Sequence, residues 1–384
     1  MIPYIFLFVS STLLAVVLPF FKKLKTQTIK AIVVFYFFGV LYLLASFKSV
    51  NVGNDTLPYM ETYQSLGESK FLDFSSSGFE IGFSFLMQFF SIVKAPFFVF
   101  LLFINFPIYF SFAYLFYKKS PYPLFSCFLY AFFSLMVFSI SAIRQSLSMS
   151  LFIIVYLLLT KKRTIATYII AVLLTAFSLS IHISSIVMAV IFVLPLLGKI
   201  TKNNFLLLTI LLFVVFFFSE YIYGFIFYYL IGQRTYAPGS YGGGGLFILS
   251  TLFFVFVCLF GYTSVIPDAI NNFFEKISGK ILCINKFKLT KGFLTDDFNS
   301  ILILFLAFLI FQAFCRTNVN FPRFGFYFLP FAFVAIPQII SIQKSQLFRV
   351  TLVFGITLFF LIYFIKFVVF GDNLNTIPFE FMWS

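Results

Sequence analysis

Arg144 and His182 each interrupt a long apolar run, the first in Ser139-Ile140-Ser141-Ala142-Ile143-Arg144-Gln145-Ser146 and the second in Ser178-Leu179-Ser180-Ile181-His182-Ile183-Ser184-Ser185. An ionisable side chain kept at or near membrane depth is a functional candidate, because it is costly to hold there. A guanidinium is permanently charged and offers its donors in a planar fork that matches phosphate oxygens. Gln145 and the hydroxyls of Ser139, Ser141, Ser146 and Ser148 surround Arg144 in sequence and fit such an anion site. The structural alternative for Arg144 is a pairing with Glu80 or a side chain that snorkels outward. His182 is the sole histidine, suited to acid-base or phosphate-binding work or else to a structural hydrogen bond.

Two acids accompany them. Asp55 lies in Asn51-Val52-Gly53-Asn54-Asp55-Thr56-Leu57-Pro58-Tyr59, where Gly-Asn-Asp is turn chemistry. As structure alone, Asp55 caps a helix beginning near Thr56. Tyr59 and Tyr63 follow at i,i+4 spacing and would present two aromatic faces to a sugar beside that carboxylate. Glu80, in Gly78-Phe79-Glu80-Ile81-Gly82-Phe83, opens an almost uncharged run. It either complements a helix dipole or, desolvated and raised in pKa, accepts a proton near neutrality.

Arg316 and Arg323 flank Thr317-Asn318-Val319-Asn320-Phe321-Pro322, and Arg234 precedes the glycine run Gly242 to Gly245. These arginines are further candidates for anion binding, with a solvated loop charge the alternative for Arg234 and Arg316. The glycine run lacks a following Lys-Ser/Thr and is no P-loop. Cys127, Cys258, Cys283 and Cys315 are scattered without metal-ligand spacing, and one histidine excludes a multi-histidine metal site. No metal and no other cofactor is expected.

Of the 384 residues 62% are hydrophobic, 67 are Phe and 10% are charged, which no water-facing surface could carry. The chain therefore reads as an all-α, polytopic transmembrane protein, a single membrane domain over residues 1–384. Its N-terminus lacks a basic region and a small-residue cleavage site, so the first helix is expected to be retained. Crossings of roughly 20 apolar residues are expected at about 2–21, 31–47, 96–117, 122–140, 142–160, 164–180, 183–198, 204–231, 246–266, 298–315, 324–343 and 347–370, about twelve in all. Residues 79–93 read as a helix on the outer interface, within a 48–95 outward loop. This choice puts 18 of the 26 Lys and Arg residues in the inward connections, the longest being 267–297. The net charge of +14 thus reflects cytoplasmic loops and calls for no nucleic acid. Both termini, the 232–245 loop and the chemistry-bearing residues then face outward, away from nucleotide donors.

The ordered set Val52-Gly53-Asn54-Asp55-Thr56-x-x-Tyr59, Phe79-Glu80-Ile81-Gly82-Phe83, Ala142-Ile143-Arg144-Gln145-Ser146-Leu147, His182-Ile183-Ser184-Ser185 and Pro322-Arg323-Phe324-Gly325-Phe326-Tyr327 resembles the EpsG-like branch of bacterial O-antigen and exopolysaccharide polymerases. The resemblance implies a GT-C-like multi-helix fold in the cytoplasmic (inner) membrane. It also implies a glycosyltransferase that joins undecaprenyl-pyrophosphate-linked oligosaccharide repeat units on the periplasmic, or outer, face. Membrane lipid and a chain-length regulator protein are the further expected partners. The 232–245 loop is short for such polymerases, so the 48–95 segment is expected to supply the carbohydrate groove.

On this reading Arg144 and Arg323, with Arg316, stabilise the leaving pyrophosphate, and His182, Glu80 or Asp55 accepts the acceptor's proton. Inversion by single displacement is the simplest course, with a retaining carboxylate nucleophile the alternative. Two rivals stand beside it. A lipid-linked oligosaccharide flippase would bind near the midplane between repeats, and no repeat is visible. A glycan-modifying membrane acyltransferase would need its histidine fed from the cytoplasm.

Overall fold

The structure is a computed structural model that describes residues 2–21, 24–74, 77–161, 164–197, 200, 204–225, 244–262, 296–315, 317, 320–343, 345–371 and 374–383. Among them every named element is helical, and the one isolated bridge of extended backbone joins Lys48 to Phe381. Two compact units emerge, residues 1–189 with 356–384, and residues 190–355.

The first unit begins with α1 (Ile2–Val17), α2 (Thr26–Ser46), α3 (Thr56–Glu68), α4 (Ile81–Ile92) and α5 (Phe97–Lys119). Then come α6 (Pro123–Phe132), α7 (Leu135–Ser141), α8 (Ile143–Lys161) and α9 (Ile165–Ile181), followed by a 3-10 turn over Ile183–Ala189. In the second unit lie α10 (Val190–Val193), α11 (Phe205–Phe217), α12 (Ser219–Phe225), α13 (Gly244–Tyr262), α14 (Asp296–Ala313), α15 (Asn320–Gly325) and α16 (Leu329–Ser341). The unit boundary falls inside α17 (Gln346–Phe364).

Helix α5 shows why these segments suit a bilayer. It is apolar all round, with Phe100, Ile104, Ile108 and Phe112 buried while Phe103, Phe106 and Phe110 are exposed. A helix with no polar face that still leaves phenylalanines uncovered is matched to a hydrocarbon solvent. Among the described residues five helices are long and apolar enough to cross a membrane: Ile2–Phe20, Thr26–Ser46, Phe97–Lys119, Ile143–Lys161 and Gln346–Val369. The pairs α6/α7 and α11/α12, bent by 65° and 70°, raise the number to seven if each is one span. The other five of the twelve expected crossings fall on apolar helices of 10–17 residues, and 79–93 falls on α4.

Breaks, more than helices, position the chemistry. Ser134 adopts a left-handed φ of 71° between α6 and α7, and Ala142 leaves helical geometry between α7 and α8. A capping box of Thr164 and Thr167 starts α9, which ends at the extended residue His182. Gly53, at φ +88°, lets the loop after α2 lie against α7: a Cβ there would stand 2.9 Å from the Ser141 Cα. Residues 267–295 and 232–243, expected as loops, lie outside the described residues.

Candidate active site

Glu80 precedes the first residue of α4 in an extended conformation, and its carboxylate makes no cap bond to that helix. Helix α4 can approach α9 closely because position 82 is glycine: a Cβ there would meet the Ser180 hydroxyl at 2.1 Å and its carbonyl at 2.8 Å. The approach brings Glu80 to the end of α9. Its Oε1 lies 3.0 Å from His182 Nδ1 and accepts the Ile183 N–H at 3.1 Å, a backbone donor that the break at His182 leaves without a helical partner. Its Oε2 accepts from Arg144 Nη1.

Arg144 occupies the first turn of α8. A cation is disfavoured at that end of a helix by the macrodipole, and the Glu80 carboxylate offsets the mismatch. Arg144 Nε donates to the Tyr59 hydroxyl at 3.2 Å, and that hydroxyl donates to Asp55 Oδ2 at 3.2 Å. The guanidinium carbon lies 4.4 Å from the centre of the Phe79 ring, with Tyr59 and Phe83 at 5.7 and 5.9 Å. Five residues from four sequence segments thus form one chain of contacts: Asp55, Tyr59, Arg144, Glu80 and His182. The side chains of Arg144, Glu80 and His182 stay 21–23% exposed.

The electrostatics separate the two candidate bases. Burial pushes the Glu80 carboxyl up, as expected, but the Ile183 N–H and the charges of Arg144 and His182 outweigh it and hold the group below its ordinary value. This corrects the expectation of a Glu80 raised toward neutrality. Glu80 is an ionised acceptor. Burial also holds His182 below its ordinary 6.5, against the opposing pull of Glu80. A carboxylate can only accept, so the neutral imidazole donates through Nδ1 and presents Nε2 as its acceptor.

Other expectations change more. Tyr59 and Tyr63 are 1% and 5% exposed, so neither offers a face to a sugar. Tyr59 works through its hydroxyl, and that of Tyr63 donates to the Ala95 carbonyl at 2.6 Å. Asp55 stands at the N-cap of α3 but makes no side-chain cap bond; it takes the Tyr59 hydroxyl instead. Three of the four serines around Arg144 are packing groups: Ser139 contacts Tyr130 and Tyr109, Ser141 accepts the Asn54 N–H, and Ser148 reaches the Ser178 carbonyl. Gln145 is buried. Arg323 sits in α15 of the second unit, where Gly325 lets α15 lie against Phe308 and Phe311 of α14. Arg234 and Arg316 lie outside the described residues. Among those residues no group of three or more His, Cys, Asp or Glu side chains converges on a metal position.

The sequence model of the EpsG family matches residues 31–381. The chain belongs to the EpsG family. No curated protein and no solved structure matches it. The EpsG match includes the whole Asp55–Tyr59–Arg144–Glu80–His182 cluster, and the family is one of polysaccharide polymerase-type membrane proteins.

Lys48 was not among the residues singled out from sequence. It is 3% exposed, its amine donates to the Ile140 carbonyl, and burial lowers its pKa to about 7 against the pull of Asp55. Its sequence signal was faint: one lysine at the exit of an apolar helix, indistinguishable from a solvated loop charge.

Proposed function

We propose that this EpsG-family protein is a polysaccharide polymerase that transfers a glycan from undecaprenyl pyrophosphate to the non-reducing end of a second lipid-linked repeat unit on the outer face of the cytoplasmic membrane. The observation that carries the reading is one carboxylate, Glu80, shared by a guanidinium and an imidazole, all three partly exposed. Arg144 binds the donor pyrophosphate. Among the described residues its hydrogen-bond partners are Tyr59 and Glu80, through Nε and Nη1, so the rest of the fork serves the ligand. His182 Nε2 takes the proton of the acceptor hydroxyl as its oxygen bonds to the anomeric carbon. The sugar–phosphate bond breaks, and the leaving pyrophosphate takes the electron pair beside Arg144. Glu80 remains ionised throughout, fixing the imidazole tautomer and stabilising the imidazolium that forms.

The chemistry suits the outer face because the leaving group travels with the lipid and no nucleotide is consumed. The loop charges favour twelve crossings, the five shorter apolar helices completing the seven long or bent ones, and the GT-C-like arrangement follows from the family resemblance alone. A surface-glycan gel tests the reading. Deletion of the gene should collapse a ladder to a single-repeat band, rescued by wild type and not by Arg144→Ala. Complete loss of surface glycan would mean a flippase, and an unchanged ladder with altered acetylation would mean an acyltransferase.

A further inference from the structure

Lys48 directly follows the Phe47 that ends α2, and among the described residues no other lysine or arginine is buried. Its amine donates to the carbonyl of Ile140, in the last turn of α7. The last carbonyls of any helix lack intrahelical partners and carry partial negative charge. Here α7 stops at Ser141 and the Ile140 carbonyl is left inside the protein, where an unpartnered polar group is costly. A lysine amine donates whether or not it is protonated, so it satisfies the carbonyl in either state. The lowered pKa of Lys48 therefore does not remove the contact.

The neighbouring residues are fixed just as closely. Ser139 contacts the hydroxyls of Tyr130 and Tyr109 at 2.6 and 3.3 Å, and Ser141 accepts the Asn54 N–H at 3.0 Å. Lys48 supplies the middle contact, so three consecutive residues of α7 are pinned just before Arg144. The loop bearing Lys48 is itself held from its other side by the C-terminal segment. Ser49 N–H donates to the Glu380 carbonyl at 2.9 Å, Gly53 N–H to Asn375 at 2.8 Å, and Met382 N–H to Phe47 at 2.9 Å. A lysine on so constrained a loop cannot follow α7 if α7 moves; it sets where α7 ends.

We propose that Lys48 is a positioning residue for Arg144, holding the C-terminal end of α7 so that the break at Ala142 delivers the guanidinium to Glu80 and Tyr59. The inference deepens the reading of Arg144 as the pyrophosphate ligand and rests on it for its catalytic meaning, but its geometry is testable without glycosyl transfer.

The test is arginine-selective dicarbonyl labelling of the full-length protein in lipid nanodiscs, with rates read by mass spectrometry at Arg144, Arg323 and Arg349. In wild type, Arg144 should react slowly because Glu80 and Tyr59 engage it. Lys48→Met, which keeps length and loses the donor, should speed labelling of Arg144 several-fold while leaving Arg323 and Arg349 unchanged. Lys48→Arg, which restores a donor, should return Arg144 toward the wild-type rate. An unchanged Arg144 rate in Lys48→Met would overturn the proposal. So would a rise at all three arginines together, since Lys48 would then be a general stabiliser. The polymerase reading fails separately, if Arg144→Ala supports a normal glycan ladder, and that result leaves the labelling outcome standing.

Discussion

His182 Nδ1 lies 3.0 Å from Glu80 Oε1, so the acid that precedes α4 orients the histidine that ends α9. The pair therefore has a direction: Glu80 accepts, and Nε2 of His182 is left to receive a proton.

The direction makes the pH dependence predictable. A general base must be neutral, so chain extension should fall as pH drops through the His182 pKa, which burial holds below 6.5. Glu80→Gln removes the negative charge that pulls this pKa up. The acid limb should therefore move to lower pH, while the maximal rate drops because the imidazolium loses its counter-charge. His182→Ala should lose roughly 10²–10⁴-fold of rate and abolish the limb. The measurement is the rate of extension of a lipid-linked repeat unit by purified protein between pH 5 and pH 8, a window of about three units around the ordinary histidine value. A limb that vanishes in Glu80→Gln and persists in His182→Ala would make Glu80 the base.

Arg144→Lys separates charge from geometry. Lysine keeps the cation but cannot contact Tyr59, Glu80 and a phosphate from one planar fork. Extension should fall about 10²-fold, the scale of one lost transition-state donor, with protein abundance in the membrane unchanged. Full activity in this variant would rule out a bidentate phosphate contact.

The sequence made much of this frame legible because membrane helices declare themselves by length and apolarity, and because Arg144, Glu80 and His182 are expensive where they stand. The helix starting after Glu80, the break before Arg144 and the helix end at His182 were all readable as polar interruptions. Their convergence was not, since it depends on α4 lying against α9, and one glycine at position 82 carries that information. Tyr59 and Tyr63 misled for a related reason: i,i+4 spacing gives a shared helix face and does not say whether that face looks at solvent or at Phe79, Phe83 and Phe100. The buried lysine was illegible because burial of Lys48 comes from contacts more than 90 and 300 residues away, at Ile140 and Phe381.

Gly82→Ala tests the convergence itself. The added methyl would meet Ser180 at 2.1–2.8 Å, including its backbone carbonyl, so α4 must shift from α9. Overpacking of this kind costs about 1–3 kcal/mol, and the same shift draws Glu80 from His182 and the Ile183 N–H. Extension should fall well beyond the loss of folded protein, and the acid limb should move in the same direction as in Glu80→Gln. Thermal unfolding followed beside the rate distinguishes the two effects; a rate that merely tracks the folded fraction would sink the argument.

The C-terminal segment should prove part of the site's frame although it carries none of its chemistry. Residues 374–382 accept or donate backbone hydrogen bonds with Phe47, Ser49, Gly53 and Asn54, and the Tyr4 hydroxyl donates to the Thr376 carbonyl at 3.2 Å. Tyr4→Phe removes the hydrogen bond of that hydroxyl, a net contribution of about 0.5–1.5 kcal/mol. Removal of residues 372–384 releases the whole 47–54 loop, including the anchor of Lys48 and the turn that leads to Asp55. Tyr4→Phe should therefore lower thermal stability with extension nearly intact, whereas the truncation should abolish extension even at a temperature where the protein remains folded. The ratio of extension rate to folded protein, measured for both variants, decides it: equal ratios would make the segment a generic stabiliser.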